Sequence, residues 1–81
     1  MTFTKITKAA DSNNGAIWQA TIAGQTWTFQ IKRYWSPGVG CGATDSVCEC
    51  QRTTGKPQSL TTRTRKRAVE VISERIAEGT Y

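Results

Sequence analysis

Two runs of strict alternation, Ala16 to Ala23 and Thr26 to Lys32, flank a short link through Gly24-Gln25, and nothing else limits the fold of this 81-residue chain so tightly. Successive strand residues point to opposite faces, so Trp27, Phe29 and Ile31 share one face while Thr26, Thr28, Gln30 and Lys32 share the other. In the earlier run, Trp18, Ala20 and Ile22 alternate with Ile17, Gln19 and Thr21. A period of two on both sides of a glycine-containing link predicts an antiparallel hairpin with one apolar and one polar face. The apolar face then needs a cover.

The C-terminal segment supplies one. Ala68, Val71, Ile72 and Ile76 recur at helical spacing, Thr62 or Ser59 offers a capping oxygen ahead of them, and Gly79 follows as a stop. Upstream, Thr2 to Ala9 alternates loosely before the turn formers Asp11 to Gly15, and Val47 to Arg52 suits a short fourth strand. The expected fold is α+β: a three- or four-stranded antiparallel sheet packed against one C-terminal helix. Trp18, Ile22, Trp27, Phe29, Ile31, Ala68, Val71, Ile72 and Ile76 form the expected core. Ser36-Pro37-Gly38-Val39-Gly40-Cys41-Gly42 and Thr53-Thr54-Gly55-Lys56-Pro57 are dense in structure breakers, which predicts a Gly/Cys-rich loop at about residues 36–57.

The length suits a single small domain over residues 1–81 with room for one modest core. A hydrophobic content of 37% is too high for a disordered chain, and the apolar runs fall far short of a membrane span. Met1-Thr-Phe-Thr-Lys lacks the apolar stretch of a secretory signal, so a cytoplasmic setting with reduced thiols is expected.

Charge points towards a partner. The net charge is +5, and between Glu49 and Glu70 the chain carries Arg52, Lys56, Arg63, Arg65, Lys66 and Arg67 without an acid. Four of these fall at the expected helix start, whose partial positive charge favours Asp or Glu, while Glu70, Glu74 and Glu78 lie towards the opposite end. Stability does not account for cations placed this way, whereas an anionic partner does. Arginine forks, threonine hydroxyls and free helix N–H groups all suit phosphate oxygens. The competing readings are a basic helix face that meets only water, and a surface for an acidic protein. Lys32 and Arg33 add charge beside Tyr34 and Trp35, two adjacent aromatics of which a strand buries only one. The other projects and can stack on a base or fill a pocket in a protein partner.

Two further chemistries are weighed. Cys41, Cys48 and Cys50 form C-x6-C-x-C in a chain without histidine, so a zinc site is one ligand short unless Asp45, Glu49 or another subunit completes it. A disulfide leaves an odd thiol, and plain reduced side chains, with no cofactor, are the preferred reading. The missing histidine also removes the usual base for a cysteine or serine nucleophile, which argues against an enzyme.

The pattern Gly15-x-x-Trp18-x-Ala20-x-Ile22, Gly24, Trp27-x-Phe29-x-Ile31, then Thr62 before a helix carrying Ala68, resembles the arm-binding domains of phage integrases and the related plant AP2 domain. That resemblance implies a three-stranded sheet lying in a DNA groove with the helix behind it, and contact roles for Thr26, Thr28, Gln30 and Lys32. The chain departs from it in the segment from Ser36 to Gly55. In length and in its lack of catalytic residues it is also similar to small phage accessory proteins, including inhibitors of host defence such as anti-CRISPRs. This second likeness implies a nucleic acid or ribonucleoprotein partner, bound without catalysis.

Overall fold

The computed structural model describes residues 2–37 and 42–81. Five strands, β1 (Thr4–Lys5), β2 (Asn14–Ile22), β3 (Gln25–Pro37), β4 (Gly42–Arg52) and β5 (Ser59–Thr62), precede one helix, α1 (Arg65–Ala77). They form a single sheet in the order β1-β2-β3-β4-β5, every neighbour antiparallel. The α+β class and the C-terminal helix are as the pattern predicted, and the strand number is higher.

The predicted hairpin is the β2–β3 pair, with Trp18 opposite Phe29 and Ala20 opposite Trp27. Its two-residue turn places Ala23 at φ 48° and Gly24 at φ 84°, the left-handed pair that matches the twist of the flanking strands. β5 is the strand that sequence reading missed. It has four residues and a single apolar side chain, Leu60, too short a run to display a period. Pairing with β4 sets Leu60 beside Cys50, so the ladder engages Ser59 to Thr62 and neither Ser59 nor Thr62 caps the helix.

The loop expected over residues 36–57 is corrected in part: Ser36, Pro37 and Gly42 to Arg52 are strand, while residues 53–57 lie outside the strands as expected. β3 runs on to Pro37 and β4 starts at Gly42, giving strands of 13 and 11 residues against nine for β2. Glycine and proline weaken a strand read alone, but a hairpin whose two sides pair residue for residue accommodates both near its end. Cys41 and the Gly38 to Gly40 segment lie outside the described residues.

This extension shapes the molecule. β2 pairs with β3 only as far as Lys32, and β5 pairs with β4 only as far as Cys48. Past Arg33, whose N–H still donates to the Asn13 carbonyl at 2.7 Å, the two long strands therefore continue from Tyr34 opposite Asp45 to Pro37 opposite Gly42 as an unflanked ribbon, about 10 Å at the usual rise per residue. The protein measures 45 × 28 × 21 Å.

Helix α1 covers the apolar face of the sheet. Ala20, Ile22, Trp27, Phe29, Cys48 and Cys50 from the strands meet Ala68 and Ile72 from the helix, with Phe3, Ile31, Leu60, Val69, Ile76 and Tyr81 packed around them. Trp18 and Ile31 are half-buried rather than central, and Val69 takes the place expected for Val71. Only two residues, Arg63 and Thr64, separate β5 from α1, and this short link sets the rotation at which the helix meets the sheet. Arg65, one turn ahead of Ala68 and Val69, consequently falls on the packing side. Among the described residues, no helix is long and apolar enough to cross a membrane.

Candidate nucleic-acid interface

The start of α1 gathers the cations. Thr64 caps the helix, its Oγ1 accepting from the Arg67 N–H at 3.1 Å, and the Thr62 hydroxyl donates to the Thr64 carbonyl at 2.7 Å. No acid lies in the first turn. Arg63 and Lys66 are exposed and have no carboxylate partner among the described residues. Arg67 pairs with Glu70 at 3.2 Å across one helical turn, both side chains about half exposed. A pair of that kind is worth only a few tenths of a kcal/mol, roughly 0.3–0.5, so it yields easily to a competing anion.

Arg65 differs from its neighbours. Its guanidinium lies over Phe3, 4.2 Å from the ring centroid, and 5.6 Å from Trp18. The Lys5 ammonium sits 5.2 Å from the same Trp18 ring, and Phe3 meets the buried Phe29 edge to face at 5.3 Å. Two aromatic rings thus support two cations without neutralising either, a contact worth about 0.5–1 kcal/mol each at an exposed site. Lys5 was not foreseen as a site residue. Its one signal was its alternation with Phe3, which places both on the apolar side of β1, because sixty residues of chain hide its proximity to Arg65. Phe3, Arg65, Lys66, Val69 and Glu70 line a shallow groove of about 480 Å³.

The ribbon adds Arg33 and Trp35. Ile31 faces the helix opposite Cys48, and alternation keeps Arg33 and Trp35 on that same side, beyond the sheet. β5 ends at Thr62, opposite Cys48 and three residues before Arg65, which places the helix start at this end of the sheet. Burial of one of the two adjacent aromatics was expected, yet both are exposed, Tyr34 at 45% and Trp35 at 66%. The reason is topological: neither α1 nor a third strand flanks the ribbon. Tyr34 projects to the opposite side, where its hydroxyl donates to Asp45 Oδ2 at 3.3 Å.

Several expected contacts belong elsewhere. The Lys32 ammonium lies 2.9 Å from Glu49 Oε2 on the open face of the sheet, so the face that the integrase resemblance assigns to DNA is polar but locally neutral. Apart from this pair, Asp45 is the only charge on the described open face of β2 to β5. Arg52 is a structural clamp. Its Nε and Nη2 donate to the Lys56 carbonyl and its Nη1 donates to the Tyr81 carbonyl at 3.0 Å, so it ties the β4–β5 turn to the segment after α1. Lys56 is exposed in that turn, away from the helix start.

The two described cysteines are placed by the core rather than by a loop. Cys48 and Cys50 lie two residues apart on the helix side of β4, fully buried, with their Sγ atoms 3.7 Å apart. The hydrogen bond with Cys48 and burial together push the Cys50 thiol up, which favours the protonated form. Neither protein-family models, nor curated proteins, nor solved structures yield a match to this chain.

Proposed function

We propose that this protein binds nucleic acid, free or within a nucleoprotein complex, and acts without catalysis. The observation that carries this is the gathering of Lys5, Arg33, Arg63, Arg65 and Lys66 on the helix-start side, with no acid in the first helical turn and Glu70, in the next, already engaged by Arg67. Four of the five remaining acids support the same asymmetry; the fifth, Asp11, lines a cavity with Arg33 and accepts from the Asn13 and Asn14 N–H groups. Glu74 and Glu78 sit at the far end of α1, while Glu49 and Asp45 occupy the open face. Free backbone donors at the Thr64 cap add to the attraction for phosphate. The surface favoured is therefore the basic end and not the neutral open face, because only uncompensated cations displace counterions from a phosphate backbone.

Fluorescence anisotropy with a labelled oligonucleotide over a salt series tests this. Five phosphate contacts give a log–log salt slope of about −4.5 on duplex DNA and about −3.5 on a single strand. The double variant Arg63→Glu/Lys66→Glu removes two contacts and should lower the slope by about 1.5 to 2. Both residues are exposed, so the variant keeps its fold, checked by circular dichroism. Absence of binding at low salt overturns the proposal in favour of a second reading, an adaptor that docks on an acidic protein through the exposed Tyr34 and Trp35 and the unpaired outer edges of the ribbon.

A further inference from the structure

We infer that the β3–β4 ribbon carries a base-stacking site on Trp35, and that the preferred ligand is single-stranded nucleic acid; this deepens the proposed function and rests on it. Trp35 is the most exposed large apolar side chain among the described residues, at 66%. It is nevertheless supported. Its ring lies against the backbone of Gly42 on the paired strand, where a Cβ would overlap Cζ2, Cε2 and Nε1 of the indole. Glycine is needed at residue 42 for that close approach. The ring is held against the chain there and otherwise stands in solvent, a preset aromatic surface.

Charge selects the occupant. Arg33 lies two residues from Trp35 on the same face, and that face leads back through Ile31 and Cys48 to Thr62 and so to Arg63, Arg65 and Lys66 at the start of α1. A strand whose phosphates follow these cations can bring one base onto the indole. An indole stacks only on a base whose own face is free, and in a duplex neighbouring base pairs cover it. A ribbon seated in a duplex groove also meets phosphates along both walls. Here the side opposite Arg33 carries Asp45, held by the Tyr34 hydroxyl, and a Lys32 already matched to Glu49. Cations on one side only suit a single strand laid across that side.

The test uses three probes at equal length: a single strand of thymidines, a duplex, and an abasic strand that keeps the phosphates without the bases. Trp35→Ala should weaken the thymidine strand by about 5- to 150-fold, leave the other two within about twofold, and preserve the salt slope. Trp35→Phe should recover most of the loss, and wild-type tryptophan fluorescence should fall on binding the thymidine strand but not the abasic one. Gly42→Ala, which displaces the indole without removing it, should reproduce part of the Trp35→Ala defect. Should Trp35→Ala bind the thymidine strand as well as wild type, or should the duplex be preferred, the stacking site is refuted while a persisting salt slope keeps the proposed function. If wild type binds none of the three probes, both fail together.

Discussion

Replacing Thr64 by aspartate should make this protein more stable and a weaker binder at the same time. Thr64 already caps α1 through the 3.1 Å bond from the Arg67 N–H, and aspartate keeps that acceptor while adding a negative charge. It enters a first turn without acids, beside Arg63, Arg65, Lys66 and Arg67. A better cap contributes a few tenths of a kcal/mol, and an anion at the positive end of the helix contributes about 0.3–1 kcal/mol. The total, about 0.5–1.5 kcal/mol, raises Tm by roughly 3–10 °C for a domain of this size. Thr64→Asn is the control, because it caps equally well without charge. Thermal melts followed by circular dichroism should place Asp above Asn at low salt, and the gap should shrink as the Debye length falls from about 10 Å at 0.1 M to about 3 Å at 1 M. The same aspartate partly neutralises the basic end and should weaken oligonucleotide binding, which asparagine leaves nearly intact. Equal melting of the two variants at low salt would falsify the claim that the helix start holds an unfavourable field. Unchanged binding by the aspartate variant would move the phosphate contacts elsewhere.

Two other substitutions separate structural from functional charge and probe a turn. Arg52→Ala removes donors to the Lys56 and Tyr81 carbonyls, so it should lower stability by about 1–2 kcal/mol, and Tm by roughly 5–15 °C, without altering the salt slope of binding. A slope that fell with Arg52→Ala would return that residue to the anion site. Ala23→Asn should stabilise the β2–β3 turn by about 0.5–1 kcal/mol, because residue 23 holds φ 48°, a left-handed conformation that asparagine adopts more readily than alanine. A lower Tm would contradict the turn geometry.

How far the fold could be read in advance depended on where each element's information resides. The β2–β3 hairpin and α1 display their period within a single segment, so alternation and helical spacing were sufficient to find them. β5 was invisible because Leu60 is its only apolar residue, and its strand character comes from the partner, Cys50, that it meets on β4. The ribbon was read as a loop for a related reason: Gly42 looks like a breaker until Trp35 is seen to occupy the space a side chain would fill. Cys48 and Cys50 alternate within the Val47 to Arg52 strand, yet their thiols drew attention to metal and disulfide chemistry before the helix was known to cover them.

For the candidate site, the chain alone specified an excess of cations and their clustering before Glu70, since charge and order are properties of composition. Which cations remain free was decided in three dimensions. Lys32 is matched by Glu49 across the sheet, Arg52 is held by carbonyls and Arg67 by Glu70, whereas Arg65 and Lys5 converge on aromatic rings that leave their charge uncompensated. Neutralisation needs an acceptor within a few ångströms, and for residues distant in the chain that distance is created only when the strands pair and the helix docks.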